Sequence, residues 1–419
     1  MYFCGVKKLL FFLLVACCIV GAEAQHATDS VAAPWVKSIF LTRQGIDLEP
    51  PILTVGSTEQ LDLQFDILVE QPIALRYTIV HCDANWEVDD LLPSDFMTGF
   101  ESEVIEQYDF SFTTLTPFVH YRQTLPARYS TFTHSGNYAL RVFIDEHPDS
   151  ILFVRRFYVT EQALDVNATI GRPVDGLSIE RRQQVDVCLS SDDVLPNPQY
   201  VKVKVQQNGR TDNERLLQFS GYNRDGMCYR QREANVFWGG NNFRYFDVSN
   251  LRTPAYNVQQ ISDYGGELLA LLRPDENRSR NHFVSQTTLN GGMKVNAFDR
   301  SNKTLEADYV WVGFSLPATT PYLDGSVHVV GQLTDWRIDS TSRMDYDPHL
   351  RAYTKRLLLK QGYYSYQLLF LPVDTTEGVT SRIEGDHFQA PNIYTVYVYL
   401  RQPSDLADRL VAVKRVAVR

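Results

Sequence analysis

Short stretches in which apolar and polar residues alternate dominate the first third of the chain. Such alternation, rich in aromatic and β-branched residues, is typical of strands with one buried face. The pattern predicts strands at residues 38–42, 60–66, 75–81, 110–112, 137–143 and 152–158. Because turn residues separate them and no helical periodicity intervenes, we expect an antiparallel immunoglobulin-like sandwich over residues 25–160.

The same alternation continues to the end of the chain. Strands are predicted at 184–189, 200–205, 242–247, 267–272, 308–314, 325–331, 353–359, 363–370, 394–400 and 410–416. The pattern is less regular before residue 305 than after it, so we place a middle sandwich-like domain at 161–304 and a C-terminal sandwich at 305–419. The predicted fold class is therefore all-β, with tandem immunoglobulin-like β-sandwich domains.

The first 24 residues carry the features of an export signal. Lys7 and Lys8 precede an apolar run at 9–16, and Ala22 and Ala24 frame a small-residue cleavage site. This arrangement predicts a signal peptide cleaved near Ala24, since the run is shorter than the roughly 20 residues that span a membrane. An alternative is a lipoprotein anchored at Cys17, which follows Leu14-Val15-Ala16 as in a lipobox.

Charge and cysteine content narrow the possible partners. The chain has 40 Lys and Arg against 50 Asp and Glu, a net charge of −10, which makes nucleic acid an improbable partner. Beyond the export signal only Cys82, Cys188 and Cys228 remain, so at most one disulfide can form and its pairing is open. Cys82 is expected to be a small buried hydrophobe.

Catalytic and metal-binding signatures are not found in the sequence. Common hydrolase, zinc-protease and nucleotide motifs do not occur, and no cofactor is expected. The segment His81-Cys82-Asp83 is expected to be a strand that ends in a hydrogen-bonded turn, because on a strand His81 and Asp83 share one face while Cys82 points to the other. The cluster at 384–387 is predicted to be a solvated loop.

Longer motifs carry a family resemblance. They include HCDANW at 81–86, LLPSDF at 91–96, YDFSF at 108–112, LTP at 115–117 and FRYFD at 243–247. In these the chain closely resembles the plug protein of the bacterial type IX secretion system. The resemblance implies a non-enzymatic periplasmic β-protein that closes the inner mouth of a giant outer-membrane β-barrel translocon, docking peripherally with no transmembrane segment in the mature chain.

Two aromatic residues within these motifs are candidates for the contact with the translocon. Trp86 and Phe96 are flanked by Glu87, Asp89, Asp90 and Asp95, which suggests an aromatic anchor with an acidic rim. The alternative is that Trp86 packs over the core of the first sandwich.

The C-terminal part has a second resemblance, to glycogen-binding modules. It rests on residues 327–336 and 357–366, in which Trp336 matches a sugar-stacking position of those modules. Gln367 stands where they have Lys, and a second Trp does not appear in the next loop. We therefore expect the fold to be retained and sugar binding lost, with a periplasmic carbohydrate-binding or carbohydrate-processing protein as the alternative function.

Overall fold

The computed structural model describes residues 26–46, 48–174 and 178–418. Strands make up 47% of the chain and helices 3%, which confirms the all-β fold class. The predicted signal peptide, Cys17 and the cleavage site near Ala24 lie outside the described residues.

The first sandwich consists of a six-stranded and a four-stranded sheet. Its strands are β1 (Ser30–Val31), β2 (Val36–Arg43), β3 (Ile52–Thr54), β4 (Leu61–Ile67), β5 (Leu75–Cys82), β6 (Met97–Thr98), β7 (Ser102–Val104), β8 (Gln107–Phe110), β9 (Val119–Leu125), β10 (Thr131–Phe132), β11 (Gly136–Ile144) and β12 (His147–Thr160). The six-stranded sheet has the order β1-β12-β11-β5-β7 with β3 parallel to β12, and the other sheet has the order β2-β4-β9-β8. A single helical turn, α1 (Pro93–Phe96), precedes the small β6–β10 ribbon.

Local alternation explains these strands. In β4, Leu61, Leu63 and Phe65 are fully buried, whereas Asp62 and Gln64 between them are partly exposed. Side chains of a strand point alternately to opposite faces, so these three enter the core between the sheets. There they join a cluster that includes Tyr121, Tyr138 and Phe153.

The second sandwich joins two distant parts of the chain. Its strands are β13 (Asp165–Gly171), β14 (Arg182–Ser190), β15 (Val201–Gln207), β16 (Arg215–Leu217), β17 (Gly221–Asn223), β18 (Gly226–Tyr229), β19 (Val236–Trp238), β29 (Ile393–Leu400) and β30 (Arg409–Ala417). One sheet has the order β13-β14-β18-β17 with β19 on β14, and the other has the order β16-β15-β29-β30. A disulfide joins Cys188 of β14 to Cys228 of β18.

The third sandwich is built from one nine-stranded sheet that encloses its own core. Its strands are β20 (Arg244–Asp247), β21 (Val258–Asp263), β22 (Leu268–Leu272), β23 (Met293–Val295), β24 (Tyr309–Pro317), β25 (Gly325–Val330), β26 (Arg343–Asp347), β27 (Ala352–Lys360) and β28 (Gly362–Pro372). The order is β20-β28-β25-β26-β27-β24-β22-β21, with β23 on β28. Turns of 3-10 helix occur at Ile179–Arg181, Pro198–Tyr200 and Gln332–Thr334.

Strand pairing departs from the division at residues 304 and 305 drawn from the sequence. β20 to β23 belong to the last sandwich, while β29 and β30 pair with the middle one, where Val203 of β15 faces Val398 of β29. The alternation of apolar and polar residues does not predict this arrangement. β29 is buried along almost its whole length, and the sequence of a fully buried strand does not indicate which strand it pairs with. The last strand of the first sandwich, β12, ends at Thr160.

Candidate functional surfaces

Trp86 lies in the turn after β5, between the first and second sandwiches. Its side chain is 5% exposed, its ring meets that of Tyr158 edge-on at 5.2 Å, and the Arg156 guanidinium lies 4.4 Å from its centroid. Tyr158 in turn stacks on Tyr397 of β29 at 4.5 Å. Trp86 is therefore a packing residue between sandwiches, in keeping with the packing interpretation of this position, and it is not an exposed aromatic anchor.

Phe96 is also buried, at 1% exposure. It ends the helical turn α1, which directs its ring towards Tyr138 at 5.6 Å and His81 at 6.0 Å. The turn is closed by a hydrogen bond from the Leu92 backbone N–H to Asp95 Oδ2 at 2.9 Å. Asp95 thus caps a turn, so the predicted pair of surface aromatics with an acidic rim is corrected to two internal residues.

The segment around Cys82 is structural, as the sequence indicated. Asp83 Oδ1 accepts hydrogen bonds from the backbone N–H groups of Asn85 and Glu87 at 2.7 and 2.9 Å. His81 Nδ1 lies 2.5 Å from Asp89 Oδ2 within the first sandwich. Burial raises the pKa of the Cys82 thiol to about 12, which keeps it protonated. Within the described residues, no group of three or more His, Cys, Asp and Glu side chains is placed to hold a metal ion.

Trp336 is half-buried at the junction of the three sandwiches. A Cβ on Gly291 would lie 2.2 Å from Trp336 Cη2, and the ring of Phe243 meets the indole edge-on at 5.9 Å. The indole borders a cleft of about 420 Å³ that also touches Arg155 and Asn208. One side of the indole is thus occupied by the protein itself, and another part of it borders the cleft.

A buried polar cluster links the first and third sandwiches. Asp66 of β4 lies 2.6 Å from His120 Nδ1, and its other oxygen accepts hydrogen bonds from Lys360 Nζ and Tyr309 Oη, each at 2.6 Å. Lys360 also lies 4.0 Å from the Phe118 ring centroid. These side chains are almost fully buried, and separating the two sandwiches would break the ion pair that Asp66 and Lys360 form across their boundary.

Exposed aromatic residues occur at one edge of the first sandwich, on β8. Tyr108 and Phe110 are 44% and 51% exposed, and their rings meet edge-on at 5.9 Å. The sequence showed alternation here but predicted the strand at 110–112, whereas it spans Gln107–Phe110. Alternation alone does not distinguish a central strand from an edge strand, so these surface residues were missed.

Comparison with known proteins identifies the chain. Residues 36–161, which contain most of the first sandwich, match the family described as "Type 9 secretion system plug protein 1st domain". The chain belongs to the type IX secretion system plug protein family. The predicted family is therefore confirmed, and membership associates this plug-family protein with type IX secretion and with the cell envelope.

A solved structure is similar to this plug-family protein over most of its length. A hypothetical protein from Parabacteroides merdae ATCC 43184 is 30% identical, with a TM-score of 0.90 over 94% of this chain and 100% of its own. The AlkC DNA glycosylase of Pseudomonas fluorescens is 11% identical over 30% of this chain and 29% of its own. Its TM-score of 0.16 is too low to show a shared fold. No curated protein matches the chain.

Proposed function

We propose that this protein is a non-enzymatic periplasmic plug that occludes the periplasmic opening of the type IX translocon in its resting state. The observation that carries the proposal is the match of the first sandwich to the plug-protein domain. Among the described residues, no helix is long and apolar enough to cross a membrane. In the proposed mechanism the protein acts by docking on the barrel.

Buried polar contacts between the sandwiches support a steric mechanism. Besides the Asp66 cluster, Tyr399 Oη of the second sandwich donates a hydrogen bond to Asn137 Oδ1 of the first at 2.8 Å. The backbone N–H of Ala84 donates to Asp408 Oδ2 at 2.9 Å. Buried polar contacts of this kind hold the sandwiches in one arrangement. A plug needs a fixed shape of this kind in order to block the passage of ions and polypeptides.

Conductance of the purified translocon in a planar bilayer tests the proposal. Adding the folded protein to the periplasmic side should close the pore in a saturable manner, and protein unfolded beforehand should leave the conductance unchanged. If saturating folded protein leaves the conductance as it was, pore closure is not its function.

The alternative function, carbohydrate binding, has weaker structural support than the plug function. It depends on Trp336, whose indole packs against Phe243 and Gly291 at a junction between sandwiches. We therefore favour loss of sugar binding in the third sandwich.

A further inference from the structure

The outer side of β8 offers unpaired backbone groups. β8 is the terminal strand of the order β2-β4-β9-β8 and pairs with β9, Tyr108 facing Tyr121 and Phe110 facing Val119. The N–H of Ser111 donates to the Phe118 carbonyl, so Ser111 belongs to a hydrogen-bonded pair. Since hydrogen-bonded and non-hydrogen-bonded pairs alternate in an antiparallel ladder, the N–H and C=O groups of Tyr108 and Phe110 point away from β9.

A contact within the chain shows that this edge accepts a backbone partner. Phe112 has the same parity as Tyr108 and Phe110, and its outward N–H donates to the carbonyl of Leu305 at 3.2 Å. The segment around Leu305, which leads into β24 of the third sandwich, thus pairs with this edge at Phe112. The outward groups of Tyr108 and Phe110 form no backbone hydrogen bond with any strand in the described ranges.

The side chains at this edge favour an apolar segment with alternating character. The Tyr108 ring lies 5.9 Å from that of Tyr121, which stacks on Phe65 in the core. Tyr108 and Phe110 therefore continue the core face of the sheet to its exposed edge. A strand added beside β8 would place every second side chain on this aromatic pair.

The charged residues near β8 indicate which charge a strand that pairs with this edge should carry. Residues 99–110 contain Glu101, Glu103, Glu106 and Asp109 and no Lys or Arg. Arg122 pairs with Asp109 across the ladder, and Glu103 lies on β7 in the other sheet, so it is Glu106, exposed directly before β8, that adds negative charge at this edge. β8 contains no Lys or Pro and its ladder with β9 has no bulge, so its shortness and Asp109 are the features present that protect edge strands from pairing.

We propose that the β8 edge binds an extended segment from the periplasmic side of the translocon, added to the sheet as a further strand. The segment has apolar residues at alternate positions, which pack on Tyr108 and Phe110, and an excess of Lys and Arg. The choice of the translocon as the source rests on the proposed function. Backbone pairing supplies affinity, and the aromatic pair with its acidic surroundings supplies specificity.

Affinity purification of the tagged full chain from detergent-solubilised outer membrane tests the inference, with the giant barrel quantified by mass spectrometry. Tyr108→Val removes the ring and keeps the outward N–H, whereas Tyr108→Pro removes both. We expect Tyr108→Val to lower recovery of the barrel and Tyr108→Pro to lower it by roughly a further fivefold, the effect of about one lost hydrogen bond. The matched control is Tyr222→Val, because Tyr222 is 61% exposed on the edge strand β17 of the second sandwich.

Each outcome has a distinct meaning. Equal recovery by the wild-type chain and both Tyr108 variants overturns the edge inference while leaving the plug function intact. If the wild-type chain recovers no barrel, the proposed function fails and the edge inference fails with it.

A second measurement applies even if Tyr108→Pro does not fold. Photoreactive benzoylphenylalanine at position 108 should cross-link to a single extended segment of the barrel, and the same group at position 222 should not. Cross-linking to the barrel from position 222 but not from 108 would contradict the proposal.

Discussion

Lys360 Nζ lies 2.6 Å from Asp66 Oδ2, and this buried ion pair joins the third sandwich to the first. Burial alone would raise the pKa of Asp66, but the charge of Lys360 and the hydrogen bond from His120 outweigh it, so that the pKa lies below its usual value. Burial lowers the pKa of Lys360 although the charge of Asp66 raises it, so the pair is costly to bury, and the loss of either partner would leave the other charge buried without its main counter-charge.

Removing the cation from this pair should destabilise the protein strongly. Lys360→Met leaves a buried carboxylate without its main counter-charge, and such a change costs about 3–5 kcal/mol in the free energy of unfolding. Urea denaturation followed by tryptophan fluorescence measures the loss. Asp66→Asn combined with Lys360→Met should recover part of it, since no charge is then left unpaired. A Lys360→Met variant as stable as the wild type would show that the ion pair does not hold the sandwiches together.

Sequence and structure agree best where the information is local. The strand predicted at 75–81 occurs at Leu75–Cys82, and the turn after it forms through Asp83, as expected. Residues in these elements are specified by neighbours a few positions away, which the pattern of apolar and polar positions records.

Agreement ends where the partner is distant in the chain. The predicted solvated loop at 384–387 is internal, because fully buried Glu384 accepts a hydrogen bond from Arg244 Nε at 2.9 Å, 140 residues away. Trp86 likewise packs on Tyr158 of the first sandwich, which stacks on Tyr397 of the second. A motif shows that a charged or aromatic residue is present, but only the tertiary arrangement decides whether another sandwich covers it.

Asp275, in the third sandwich, should make stability depend on pH. Burial is the main cause that raises its pKa from an ordinary value of 3.8 to about 6, despite the nearby Arg244. Between these two pH values the folded state binds a proton that the unfolded state releases, so this group's contribution to stability falls as pH rises from about 4 to 6. The shift corresponds to about 3 kcal/mol.

The variant Asp275→Asn isolates this contribution. Its amide can still accept a hydrogen bond from Tyr366 Oη, which lies 3.0 Å from the carboxylate, but it does not titrate. The unfolding free energies of both proteins should be measured from pH 4 to pH 7. The stability of the variant relative to that of the wild type should increase as the pH rises. A difference that stays constant over this range would contradict the raised pKa.

The disulfide should contribute substantially to the second sandwich. Cys188 and Cys228 are 40 residues apart, and a cross-link that closes a loop of this length stabilises a fold by about 4 kcal/mol in the chain-entropy model. The double substitution Cys188→Ser and Cys228→Ser should lower the urea midpoint accordingly. In protein that starts at Gln25, one thiol, Cys82, should react with a thiol reagent, and it should do so only after unfolding. Two further reactive thiols without a reductant would rule out the bridge.

Trp336 should contribute to stability and not to sugar binding. Its indole packs on Phe243 and faces a cleft, so Trp336→Ala should cost about 2 kcal/mol, less than the 3–5 kcal/mol of a fully buried aromatic residue. In affinity electrophoresis through glycogen the wild-type protein and this variant should migrate equally. Trp311→Ala is the matched control, because Trp311 lies on β24 of the same sandwich and is 36% exposed. Retardation of the wild type that is lost in Trp336→Ala and kept in Trp311→Ala would instead show that the third sandwich binds carbohydrate through this residue.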